Sequence, residues 1–195
     1  VVVVVVVVVV AVVVATSTAT GDDAVEALGL ELGFPVFRGS EEDVLARFTG
    51  AALDQGLDHA VRVCGDSPFV DPSLVDQLVS AYINSGADYA SNVGERSYPR
   101  GLDVEVFCAR QLQRIETLAK APYARAHVTP YFYQNPEQFR LLSCPGDQDY
   151  SHHRWCVDEP ADLAFVRALA QRLGGRRDFA WTEALAVVKA DAELA

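Results

Sequence analysis

Arg62-Val63-Cys64-Gly65-Asp66-Ser67-Pro68-Phe69-Val70-Asp71-Pro72 is the stretch that decides the fold of this chain. Before it, His59-Ala60-Val61-Arg62-Val63 is a short apolar alternation that reads as a buried strand. After it, Asp71 has the chemistry of a helix N-cap, and Pro72 suits the first helical position, where no amide hydrogen is needed. Leu74, Val75, Leu78, Val79 and Tyr82 then recur at helical spacing and predict a helix over residues 73–84. A strand that ends on Gly65-Asp66 and passes into a capped helix sets one carboxylate at the C-terminal edge of a sheet. Open α/β sheets bind their ligands at that edge. Gly65 permits a sharp turn, and Asp66 offers a hard oxygen to a metal ion or a polyol.

The alternation extends in both directions. Val12-Val13-Val14-Ala15-Thr16-Ser17 reads as a strand, residues 22–32 as a helix closed by Gly33, residues 35–38 as a strand, and residues 41–55 as a helix capped by Ser40. Farther on, strands are predicted at 87–91, 101–108, 139–143 and 154–157. Helices are predicted at 110–120, 125–134, 161–173 and 181–194, with Pro130 ending or kinking the second of them. Strands alternating with helices of this length predict an α/β fold, a mainly parallel sheet with helices on both faces.

No linker rich in Pro, Gly or Ser and no repeat interrupts the pattern, so residues 12–195 read as one domain. Residues 1–11, all valine except Ala11, read as a low-complexity tract outside that domain, an artefact or placeholder without a function of its own. The apolar run falls short of the ~20 residues of a membrane span, and no basic segment marks it as a signal peptide. A net charge of −11 disfavours nucleic-acid and anionic-membrane partners, which need clustered Lys and Arg. Cys64, Cys108, Cys144 and Cys156 are widely spaced inside or beside apolar runs, as expected of small buried thiols in a reduced, cytoplasmic chain.

Asp66 and Asp158 are the chief candidates for chemistry, because each follows a short apolar run and precedes a proline-started helix. Two carboxylates at one sheet edge fit a Mg²⁺ ion that also takes substrate phosphates, while helix capping remains open for both. Asp103 and Glu105 share one face of a strand by period-two alternation, either as a solvated face or as a polar floor for a sugar. His127 joins Thr129 and the aromatic residues Tyr123, Tyr131, Phe132 and Tyr133. His152 and His153 are adjacent and point apart on an extended chain, so they are poor chelators of one ion. Neither a nucleophile elbow nor a Walker loop is present.

Taken in order, residues 12–17, Pro35-Val36-Phe37-Arg38-Gly39-Ser40-Glu41-Glu42-Asp43, residues 62–72, residues 98–107, His127-Val128-Thr129-Pro130-Tyr131 and residues 154–163 resemble one family. It is the cytidylyltransferase family of the spore-coat polysaccharide, acylneuraminate and Kdo enzymes. The resemblance implies a Rossmann-like three-layer sandwich of the nucleotide-diphospho-sugar transferase type. It implies that CTP and a sugar acid give CMP-sugar and pyrophosphate in cell-surface polysaccharide biosynthesis, and that the enzyme forms a homodimer. It assigns Mg²⁺ and catalysis to Asp66 and Asp158, and the nucleotide to Arg38, Gly39, Ser40 and Gly65. Asp103, Glu105 and His127 fall on the sugar side. The family's N-terminal phosphate loop has no counterpart, since the valine tract stands in its place. Two alternatives follow: an inactive binding domain, or a glycosyltransferase of the same fold that uses Asp147-Gln148-Asp149.

Overall fold

The computed structural model describes residues 2–5, 12–191 and 194. Its centre is β4 (His59–Cys64), which buries Ala60 on one face and Val61 on the other, as a strand covered on both sides requires. Six further strands flank it: β1 (Val2–Val5), β2 (Val12–Ser17), β3 (Val36–Gly39), β5 (Tyr89–Ser91), β6 (Glu105–Cys108) and β7 (Leu141–Ser143). Their order is β3-β2-β1-β4-β6-β5-β7.

The sheet is mixed rather than mainly parallel in its pairing. β2–β3 and β5–β7 pair parallel, whereas β1 pairs antiparallel with β2 and β4, and β6 pairs antiparallel with β4 and β5. Five strands therefore share one direction, and the two reversed strands stand between them. Residues 1 and 6–11 of the low-complexity tract lie outside the described residues, but Val2–Val5 takes the place between β2 and β4.

Helices α2 (Val44–Asp54), α4 (Ala109–Leu118), α5 (Pro122–His127) and α6 (Pro130–Gln134) cover the face that presents Val13, Ala15, Ala60 and Phe107. On the opposite face, α3 (Pro72–Ser85) packs Leu78 and Tyr82 against Val61, Val104 and Val106. There α1 (Asp23–Glu31) brings Gly29 so close to Val14 and Val36 that a Cβ would lie 2.9 Å from a Val36 methyl. A third cluster joins α7 (Pro160–Arg172) and α8 (Trp181–Ala190) around Phe69, Leu102 and Trp155.

Several local expectations change. Asp43, not Ser40, caps α2 by accepting the Ala46 amide, while the Ser40 hydroxyl accepts the Asp43 amide. The helix expected over 125–134 divides into α5 and α6 at Val128-Thr129. Residues 154–157 form no strand; a single bridge from Arg154 to Arg100 and the amide of Trp155 on the Arg100 carbonyl hold them instead. Gly101, with φ +102°, makes this approach possible, since a Cβ there would meet the Trp155 carbonyl group within 3 Å.

Asp71 ties two helices together. Its carboxylate accepts the Ser73 amide at 2.7 Å and the Trp181 amide at 2.7 Å, capping α3 and anchoring the start of α8. Burial acts to raise its pKa, but the hydrogen bonds from Ser73 and Trp181 outweigh it and hold the carboxyl below the usual range. A depressed carboxyl stabilises the fold fully above the unfolded pKa of about 3.9 and loses that contribution as pH falls through the folded value. Asp71→Ala is expected to cost about 2 kcal/mol, one cap and one further hydrogen bond. Its melting temperature should also fall less steeply than the wild type's below about pH 4, where the group would otherwise be protonated. Melting curves of both proteins from acid to neutral pH check both effects.

Candidate active site

The strands that share a direction end at Ser17, Gly39, Cys64, Ser91 and Ser143, and the reversed β6 starts at Glu105 on the same edge. Most of the residues picked out from the sequence gather there. β4 turns at Gly65-Asp66, closed by the Ser67 amide on the Cys64 carbonyl. The Asp66 carbonyl accepts the Val157 amide at 2.8 Å, which brings the segment carrying Asp158 alongside. Burial pushes the Cys156 thiol up, and the nearby charges of both Asp158 and Asp66 push it in the same direction. The Cys156 thiol donates to Asp158 at 3.6 Å.

Neither carboxylate caps a helix. Asp71 does so for α3, and α7 starts after Glu159. Asp66 is exposed, and among the described residues its carboxylate accepts the Ser67 hydroxyl alone, at 2.9 Å. Asp158 accepts Arg154 at 2.5 Å, and Arg154 also bonds Asp162. Asp162 accepts the backbone amides of Asp158 and Glu159, both at 2.9 Å, and these bonds, with Arg154 first among them, hold its carboxyl well below the usual range. Arg154 and Asp162 escaped the sequence reading; the signal was their spacing, each four residues from Asp158. Among the described residues no three His, Cys, Asp or Glu side chains converge on a metal position. Two exposed hard-oxygen donors with free lone pairs still suit an ion that completes its shell with phosphate and water.

Of the residues expected on the nucleotide side, Arg38, Gly39 and Ser40 lie at the end of β3 and Gly65 follows β4. Arg38 donates to the carbonyls of Ser17 and Ala19 and to Asp23 and Glu26, so its guanidinium braces the turn after β2. The same turn is clamped by Asp22, which accepts the Ser17 amide and the Thr16 hydroxyl. Gly39 leaves room for Arg47, whose side chain a Cβ would meet at 2.9 Å, and the Ser40 carbonyl accepts from Arg47.

Of the residues expected on the sugar side, Asp103 and Glu105 separate. Asp103 grips Arg96 through two bonds of 2.7 and 2.9 Å beside a cleft of about 380 Å³ lined by Tyr89, Ser91, Arg96, Tyr133 and Ser143. Glu105 is only 4% exposed and is not a solvated face. It pairs with Arg62 and accepts the Tyr89 hydroxyl at 2.6 Å and the Thr129 hydroxyl at 2.7 Å. The neighbouring Arg62 charge makes this carboxylate tolerable in the interior. His127 is exposed at the end of α5, its ring 4.4 Å from that of Tyr123. The rings of His152 and His153 do not point apart as expected but lie 4.2 Å from each other, tilted by 39°, and Asp147-Gln148-Asp149 lies in a loop where Asp149 accepts the Ser151 amide.

A family model described as Cytidylyltransferase matches residues 2–175. Among curated proteins, the spore coat polysaccharide biosynthesis protein SpsF of Bacillus subtilis is 33% identical over 177 residues, 89% of this chain and 72% of its own length. An uncharacterized protein of Methanocaldococcus jannaschii is 40% identical over 121 residues, 62% of this chain and 49% of its own. Among solved structures, a cytidylyltransferase from Leptospira borgpetersenii superposes with a TM-score of 0.89 at 28% identity, over 93% of this chain and 77% of that one. A structure of CMP:2-keto-3-deoxy-manno-octonic acid synthetase complexed with CTP shares the fold, with a TM-score of 0.56 at 17% identity over 77% of this chain and 78% of that one.

Proposed function

Because the chain belongs to the cytidylyltransferase family, we propose that it activates an acidic sugar with CTP, giving CMP-sugar and pyrophosphate for surface-polysaccharide synthesis. The observation that supports this most is the backbone bond from Val157 to Asp66, which sets the segments bearing Asp66 and Asp158 side by side at the C-terminal sheet edge, with neither carboxylate capping a helix. These two residues would hold Mg²⁺, which when bound offsets the negative charge of the triphosphate in a strongly acidic protein. The Ser67 hydroxyl orients Asp66, and Arg154 with Asp162 orients Asp158.

Gly39, Ser40 and Gly65 shape the nucleotide wall, while Arg38 contributes by bracing the turn after β2. Asp103, through Arg96, and His127 border the acceptor side, where a sugar hydroxyl attacks the α-phosphate in line. Orientation of that hydroxyl is the main contribution expected of the acceptor side. A cytoplasmic location is part of this reading, since CTP is an intracellular substrate. No helix among the described residues is long and apolar enough to cross a membrane. The family match sets the glycosyltransferase reading aside.

The test is pyrophosphate release by the purified chain with CTP, MgCl₂ and a panel of sugar acids. Release should require both CTP and one acidic sugar, and stop when EDTA is added. A folded protein that releases no pyrophosphate with any acidic sugar overturns the proposal.

A further inference from the structure

The structure singles out a buried carboxylate that the proposed chemistry does not touch. Val128 has φ 71° and ψ −59°, and the Thr129 amide donates to the His127 carbonyl at 2.9 Å. This is a γ-turn of the strained hand, centred on a β-branched residue. Val128 is also the one non-glycine residue with positive φ among the described residues. Such strain persists only where the surroundings over-determine it. Here the determinants are the Val128 side chain, fully buried in the core, and the Thr129 hydroxyl on Glu105. His127, immediately before the turn, is exposed, and the proposed function assigns it to the acceptor sugar.

We propose that Glu105 is a positioning residue that holds the His127-bearing turn in register with β4, the strand that delivers Asp66. One of its oxygens takes Thr129 and Tyr89, and the other takes Arg62, four residues before Asp66. The Nε of Arg62 is buried without a partner, so Glu105 is the group that fixes this guanidinium. One side chain therefore spans β4, β5, β6 and the turn. Apolar residues of similar volume would fill the same space with less desolvation cost. The buried pair is better explained by the geometry it imposes, and the strained turn lies at its far end. The kinetic part of this inference rests on the cytidylyltransferase reading; the structural part does not.

Thr129→Val tests it, because the substitution keeps the shape and removes one hydroxyl while leaving the Arg62–Glu105 pair intact. With CTP and the accepted sugar acid, kcat/KM for the sugar should fall about tenfold, the scale of one hydrogen bond to a charged group. The KM for CTP should stay within about twofold of wild type. Thr129→Ser, which restores the hydroxyl, should recover most of the loss at a similar melting temperature. Amide hydrogen exchange provides a readout that needs no turnover: residues 123–134 should exchange about tenfold faster in Thr129→Val, with β4 unchanged. Equal loss toward both substrates, or failure of Thr129→Ser to rescue, overturns the inference. So does unchanged exchange in Thr129→Val. If wild type turns over no sugar acid, the functional reading fails, and exchange alone decides the positioning role.

Discussion

Asp66→Asn is expected to lower turnover by about 100-fold or more, the scale of losing one charge-stabilising group in a reaction centre, with little change in melting temperature. Asn retains the size of Asp and accepts the Ser67 hydroxyl as Asp66 does, so the local fold has no reason to shift. It lacks the negative charge that a hard cation needs. The exposed position of Asp66 sharpens the contrast, because no buried partner is left unpaired by the change. Pyrophosphate release and thermal melting, measured on the same preparation, separate the two effects. Wild-type turnover in the Asn variant would remove Asp66 from catalysis. Asp71, five residues on, should show the reverse profile, since its carboxylate acts on two backbone amides.

Glu105→Ala is expected to be the most destabilising single change in the sheet, at about 3–5 kcal/mol. It strands the buried Arg62 charge and leaves the hydroxyls of Tyr89 and Thr129 without their acceptor. Burial disfavours charge on Arg62, yet the adjacent Glu105 more than compensates and holds its pKa above the ordinary arginine value. Take the carboxylate away and only the burial penalty remains. A loss of this size lowers the melting temperature by about 10 °C in a chain of this length. Urea denaturation gives the free energy directly. The double variant Arg62→Met with Glu105→Leu should recover much of it, because no charge is then left buried. A single Ala variant as stable as wild type would show that Arg62 is not stranded by the loss of its partner and that the pair does not hold the sheet together.

Asp103 and Glu105 show why part of the site was not legible in the sequence. Period two places them on one face, and two carboxylates two residues apart normally mark a solvated face. The cation that buries one of them, Arg62, is 43 residues away in sequence and becomes its neighbour only when β4 and β6 pair. The Arg154–Asp158–Asp162 set is different, for its members are close in sequence and its spacing was readable. What hid it was the expectation of a strand over 154–157, which the structure replaces with one bridge and a return toward Asp66.

The sequence by itself determined where most of the longer helices lie, where α3 is capped, and that Asp66 follows a buried strand. Those features depend on side-chain period and on hydrogen bonds between near neighbours, which a reader of residues can see. Only the tertiary structure decided strand order and direction. Alternation reads the same forwards and backwards, so nothing in Val2–Val5 or Glu105–Cys108 reveals that these strands run against the other five. The same holds for Val128: its neighbours in sequence favour an ordinary backbone, and the strained turn exists because packing and Glu105, contributed from elsewhere in the chain, outweigh that local preference.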